Sequence, residues 1–360
     1  MSSKSKPKWI MPLSHNNEFV FNPTSRDFTV EEVPLYEFTG EGEHLVLQIR
    51  KKELTTWEML EVLSTHLGIR IRDIGYAGLK DKHAMTIQYI SIMAIHEPKL
   101  ESFTHSQIKI LKRVRHNNKI RIGHLKGNRF WMRFKKVLGV QKNMLDSVLK
   151  WVATNGVPNY FGHQRFGIHG DNWSEGRDIV EGKLKMRDRK KREFLLSAYQ
   201  SYLFNNWLSR RIEISRLLED FSEAETEKLQ NLPEGSLKGT KSQKLFFKIL
   251  EGDVLMHYPF GRLFFAEELS EESERFALRD LSPTGLIPGK RAKEAIDGAR
   301  ALEEQYDIEM NENGSRRYAW IFPTEIKGNH IPEKAHYELE FFLPKGSYAT
   351  NVVDMLRGHR

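Results

Sequence analysis

The sequence predicts an α+β protein in which strand-rich ends enclose a helix-rich middle, as when one domain is inserted into a loop of another. Three observations carry that reading. Apolar alternation suited to strands fills the stretch before residue 135 and returns after residue 335. Helical candidates lie at 194–218 and 290–305. Between the two regimes stands "VPNYFGHQRFG", which is punctuated by proline and glycine. A chain of 360 residues also makes two domains the default.

Taken in order, "EHLVLQIRK" reads as a strand. "TTWEMLEVLSTHLG" is the clearest helix: Thr55 and Glu58 make a capping box, Trp57, Leu60, Leu63 and Leu67 form one stripe, and Gly68 stops it. An extended "RIRDIGYAG" follows, then a turn through Asp81, then the strand "MTIQYISIM", where Ile87, Tyr89 and Ser91 alternate with Gln88 and Ile90. A further strand pair flanks "HLKGNRFWMRFKK", and "FKKVLGVQKNMLDSVLKWVATNG" reads as strand and helix ending at Gly156. "AHYELEFFLPKGSYATNVVDML" returns to strand character before a short C-terminal helix. There is no internal repeat.

Hydrophobic content of 39% with 29% charged residues fits a globular protein rather than a disordered one. No apolar run approaches the length of a membrane span, and the lysine-bearing start "MSSKSKPKWIMPLSHNN" lacks the apolar core of a secretory signal. The absence of cysteine excludes disulfides, thiolate zinc sites and cysteine nucleophiles, and fits a reducing cytoplasm. Net charge is +8, but residues 101–150 hold thirteen Lys or Arg against two acids. A second run, "KLKMRDRKKR" (Lys183–Arg192), has seven bases and one acid, whereas 219–234 and 267–274 are acidic and read as solvated faces. Positive charge concentrated in this way suggests a nucleic-acid backbone footprint more than a basic surface kept for solubility.

Three groups have the residue types for chemistry. In "GYAGLKDKHA" (Gly75–Ala84), Asp81 lies on a loop between two strands beside Lys80, Lys82 and His83. Ammonium neighbours suit an ionised carboxylate acting as nucleophile or base; metal ligation by Asp81 and His83 lacks a second acidic or histidine cluster to complete it. Asn128 and Phe130 lie in the basic strand, where aromatics among Lys and Arg suit stacking of an extruded base, while Trp131 is expected to be simply a core or face residue of the strand. Tyr160, Phe161, His163 and Arg165 fit either nucleic-acid contact or packing at a domain junction.

"GYAGLKDKHA", "LKGNRF", "PNYFGHQRFG", "SAYQSYLFN", "SPTGLIPG" and "LPKGSYATNVV" together resemble the TruD family of tRNA pseudouridine synthases, over nearly the whole chain from "RDFTVEE" onward. The resemblance implies a pseudouridine synthase core with a mixed, mostly antiparallel sheet. That core would comprise 1–157 and 322–360, interrupted by an inserted α/β TRUD domain at 158–321. It implies that Asp81 is catalytic and that Phe28, Asn128 and Tyr348 contact the substrate uridine, with Phe130 at the base-stacking place. Relatives can carry phenylalanine where Tyr348 stands. The expected target is uridine 13 of the tRNA D-arm, and the expected enzyme is a cytoplasmic monomer with no membrane association. "NPTSRD" before Phe28 carries a one-residue insertion, so the basic partner of Asp81 stays open among Arg26, Lys80 and Lys82.

The isomerisation breaks the C1′–N1 bond of uridine and rejoins the base through C5. No electron, phosphate or acyl group enters or leaves, so no cofactor, nucleotide or metal is required. One carboxylate suffices, whether it attacks the sugar or abstracts a sugar proton. Two rivals from other classes are a non-catalytic RNA-binding protein or RNA chaperone on the same fold, and a metal-dependent nuclease.

Overall fold

The structure is a computed structural model that describes residues 9–358. The first eight residues of the lysine-bearing start read above against a secretory signal lie outside the described residues. The chain runs β1 (Phe28–Pro34), β2 (His44–Lys51), α1 (Thr56–Leu67), β3 (Gly75–Tyr76), β4 (Met85–Met93), β5 (Ile108–His116), β6 (Leu125–Lys135) and α2 (Gly139–Asn155). It continues through β7 (Val157–Pro158), α3 (Asn172–Val180), α4 (Arg189–Asp220), α5 (Glu223–Leu229), β8 (Val254–His257), β9 (Leu263–Phe265) and α6 (Leu269–Ala277). There follow β10 (Leu281–Ile287), α7 (Asp297–Glu303), β11 (Ser315–Tyr318), β12 (Trp320–Ile321), β13 (Thr324–Ile331), β14 (His336–Pro344) and α8 (Ala349–Arg357). Contacts divide it into two compact units: 17–149 with 323–347, and 9–16 with 150–322 and 348–358.

The first unit is built on an eight-stranded sheet of order β13-β14-β6-β1-β4-β2-β5, with β3 added beside β4. Only β1 and β4 pair in parallel, so the sheet is mixed and mostly antiparallel. One face is covered by α1, whose Met59, Leu60, Leu63 and Leu67 pack with Leu45, Leu47 and Ile49 of β2 and Ile90 and Ile92 of β4. The Thr55–Glu58 capping box is formed at its start, and Gly68 ends it at φ 67°. The expected stripe needs one correction. Trp57 is 51% exposed and meets the edge of Tyr76, while Thr56 and Met59 take the buried side. At Gly127 on β6, a side chain would strike the Leu343 carbonyl of β14.

The segment 70–78 is a single 3-10 turn (Ile71–Asp73) followed by the short β3 rather than continuous extended chain. "HLKGNRFWMRFKK" is itself a strand, β6, and α2 ends as expected before Gly156.

The second unit is organised by α4, which spans 32 residues. Its Ile214 and Leu218 pack with Leu237, Leu250, Ala295, Ala299 and Leu302. Arg211, buried in the same helix, donates to both oxygens of Asp253 at 2.7 and 2.8 Å, which compensates the burial of both charges. This region is less purely helical than its sequence suggests, since it also holds a four-stranded sheet of order β11-β10-β8-β9. The acidic segments are partly helical, in α5 and α6, and of 290–305 only Asp297–Glu303 is α-helix. The strands at the expected junctions pair with each other: Trp320 with Pro158 and Ile321 with Val157.

Candidate active site

Strand registry sets the floor of the site in the first unit. Lys51 of β2 pairs with Thr86 of β4, Thr86 with Val30 of β1, Val30 with Phe130 of β6, and Phe130 with Phe341 of β14. Paired residues share a face, so these five make one row across the sheet. Two residues along each strand, on the same face, stand Gln88, Glu32 and Asn128, with Glu32 opposite Asn128.

The turn between β3 and β4 is clamped at four points, two on this floor and two on α1. The Lys80 main-chain N–H donates to Thr56 Oγ1 (2.9 Å), which itself donates to Gln88 Oε1 (3.2 Å). The Lys80 ammonium lies 3.0 Å from the Glu32 carboxylate and donates to Asn128 Oδ1 at 2.7 Å, almost wholly buried. Burial raises the Glu32 pKa, and Lys80 works against that rise. Lys51 Nζ donates to the Asp81 carbonyl oxygen (3.0 Å). Lys82 Nζ pairs with Glu58 at 3.2 Å. Glu58 is itself held down to about 2, chiefly by the bond from the Thr55 main chain. The result is an exposed Asp81 side chain on a backbone that its neighbours immobilise.

The residues expected around Asp81 fall into distinct environments. Asn128 is part of the Lys80 clamp. Phe28 and Phe130 are stacked at 6.2 Å and 8°, and Phe130 also stacks on Phe341 at 5.3 Å. Phe130 is thereby 7% exposed, whereas Trp131, a face residue of the strand, points to the other side beneath the Arg133 guanidinium at 4.8 Å. Arg26 is exposed. Tyr348 belongs to the second unit. There the Arg317 guanidinium lies 5.4 Å from its ring and 4.1 Å from that of Phe161, and burial lowers the Arg317 pKa to about 10. Tyr160 is 2% exposed, with its hydroxyl bonded to the Ile10 carbonyl (2.7 Å), so within its motif it is a core residue and not a nucleic-acid contact.

The basic stretch is also sorted by the fold. Arg115, Arg129, Arg133, Lys135 and Lys142 face Glu97, Glu325, Glu338, Asp27 and Asp146 respectively. Lys109 and Lys112 on β5 are exposed and have no acidic partner among the described residues. Among those residues, no group of three or more His, Asp or Glu is placed to hold a metal ion, and no helix is long and apolar enough to cross a membrane.

Two parts of the site were missed in the sequence: Lys51 and the Glu32–Thr56 pair of anchors. For Lys51 the signal was present, because the alternation Leu45, Leu47, Ile49 continues inward to position 51. Glu32 and Thr56 left no local signal, since their partners lie far along the chain.

The family model described as tRNA pseudouridine synthase D (TruD) matches residues 20–187 and 185–355. A protein named tRNA pseudouridine synthase D from Sulfurimonas denitrificans is 51% identical over 343 residues, covering 95% of this chain and 96% of that one. A protein of the same name from Helicobacter pylori is 45% identical over 367 residues, with 97% and 96% covered. The crystal structure of a putative tRNA pseudouridine synthase D from Methanosarcina mazei shares the fold, with a TM-score of 0.69 at 20% identity over 98% of this chain and 96% of that one. Matched by the family model along most of its length and by relatives about half identical to it, the chain belongs to the TruD family of tRNA pseudouridine synthases.

Proposed function

We propose that this protein converts a uridine of tRNA to pseudouridine, with Asp81 as the catalytic carboxylate and uridine 13 of the D-arm as the target. The observation that carries the reading is the Asp81 turn: an exposed carboxylate whose main chain is fixed by Lys51 and, through Lys80, by Thr56, Glu32 and Asn128. Turns this heavily anchored suit groups that must meet a reacting atom in one geometry. In the reaction the C1′–N1 bond breaks, the uracil turns, a C1′–C5 bond forms, the C5 hydrogen leaves as a proton, and N1 takes up a proton in its place. The atoms balance within the nucleoside, so the carboxylate needs no co-reactant.

A uridine inside folded RNA must first be flipped out, at a cost of a few kcal/mol. One stacked aromatic returns about 1–3 kcal/mol, so the balance falls to phosphate contacts from exposed Lys and Arg. In this reading Phe28, Asn128, Phe130 and Tyr348 serve the uridine, 158–321 is the inserted TRUD domain, and the enzyme works as a cytoplasmic monomer.

The test is tritium release from tRNA carrying [5-³H]uridine, read beside a filter-binding titration. Asp81→Asn keeps the side-chain shape and removes the charge, so release should vanish while binding persists. His83→Ala should only lower release. Substantial release by Asp81→Asn would return Asp81 to the role of a turn residue and favour a binding protein or another catalyst. Cleavage of the tRNA strand that stops on adding EDTA would favour the nuclease reading instead.

A further inference from the structure

We propose that Lys51 is the positioning residue of the Asp81 turn, the cation that Arg26, Lys80 and Lys82 do not supply. This rests on the reading of Asp81 as the catalytic group. Lys51 closes β2 on the inward side and is 0% exposed. An ammonium taken wholly out of water costs several kcal/mol unless strong acceptors replace the water. No carboxylate lies within ion-pair distance of it among the described residues. Its acceptors are two main-chain carbonyls, Leu54 O at 2.7 Å and Asp81 O at 3.0 Å. Leu54 immediately precedes the helix cap Thr55. One buried cation thus ties the start of α1 to the residue that carries the catalytic carboxylate.

Two of the other cations are committed elsewhere. Lys80 is turned into the sheet onto Glu32 and Asn128, and Lys82 is turned outward onto Glu58. Arg26 is exposed and has no ion pair among the described residues. Lys51 lines a cavity of about 650 Å³ with Glu101, His105, Lys109 and Arg113, and the charges of Asp81, Glu58 and Lys80 also act on it. Burial draws its pKa down to about 8, with Asp81 and Glu58 pulling the other way. Its charge is therefore lost within the accessible alkaline range, which gives the positioning role a pH signature that a merely space-filling residue lacks.

The absence of cysteine from the chain makes a direct test available. Lys51→Met should lower kcat for tritium release about 10²-fold through misplacement of the carboxylate, with tRNA binding unchanged. Hydrogen exchange of the 79–84 amides should be faster in that variant. Lys51→Cys should be equally impaired. Alkylating its single thiol with 2-bromoethylamine in denaturant forms a C–S bond, expels bromide and a proton, and yields a lysine isostere with a more acidic ammonium. After refolding, kcat should recover most of its value, and the alkaline limb of its pH profile should move to lower pH. Wild-type protein taken through the same treatment is the reference, and the Cys pair carries the comparison if the Met variant does not fold.

Full kcat in Lys51→Met, or an aminoethylated protein that folds yet stays as slow as Lys51→Cys, would overturn the proposal. An inactive Asp81→Asn protein beside a fully active Lys51→Met removes only the role of Lys51. An active Asp81→Asn protein removes the catalytic reading itself.

Discussion

Lys80 and Glu32 form an ion pair of 3.0 Å in which neither side chain is more than marginally exposed. The residue next to the candidate catalytic carboxylate is thus an anchor, with its charge already matched inside the sheet. Lys80→Met should cost about 3–5 kcal/mol at neutral pH, because it strands a buried carboxylate. The pH dependence follows from the sign of the Glu32 shift. Burial raises its pKa in the folded state, so the folded state holds this proton more tightly than the unfolded state does. Its contribution to stability is then lost as pH rises through the folded value. Removing Lys80 takes away the opposing pull, so the deficit of the variant should be small at pH 5 and grow toward pH 7.5. Urea unfolding at the two pH values measures it, and Glu32→Gln in the same background should recover much of the loss. A deficit that does not change with pH would mean that the pair is not the anchor described.

The ion pairs within the basic stretch divide its cations into two classes. Lys109→Ala and Lys112→Ala should each flatten the plot of log K against log[salt] for tRNA by about 0.7–0.9. Arg129→Ala and Arg133→Ala should change that slope little, since Glu325 and Glu338 already neutralise those groups. A third place to probe is the first turn of α4, where Lys190 sits against the positive end of the helix dipole and is exposed. Equal slopes for all these variants would remove the sorting of cations by the fold.

Phe130 can be tested for two roles at once. Its packing between Phe28 and Phe341 predicts a loss of about 3–5 kcal/mol for Phe130→Ala, read by thermal or urea unfolding. Phe130→Leu keeps most of the volume and should retain a cooperative fold. If the ring also stacks on the base, that variant loses turnover well beyond its loss of stability. Tyr348→Phe keeps a stacking face and should stay close to wild type, whereas Tyr348→Ala should lose roughly tenfold or more, given about 1–3 kcal/mol for a stacked base. Unchanged turnover in Phe130→Leu would confine Phe130 to the core.

What the sequence determined by itself is what local physics encodes. The helix over 56–67 was legible because its cap, its apolar spacing and its terminal glycine all act within one stretch of chain. The alternating strands were legible for the same reason, and so was the loop position of Asp81 between two of them. Tertiary structure alone decided which side of a helix faces the core, turning Trp57 out and Thr56 in, because a two-position choice depends on the surface it packs against. It alone decided which of the neighbours Phe130 and Trp131 is buried, since strand registry puts Phe130 between Phe28 and Phe341. It alone assigned the lysines. In the sequence Lys80 and Lys82 flank Asp81 and look like its partners, yet acids 48 and 24 positions away claim both of them. The cation that reaches the Asp81 main chain comes from 30 residues upstream. Contacts over such separations follow from how strands pair and where a helix lies across them, and no local pattern of residue types records that.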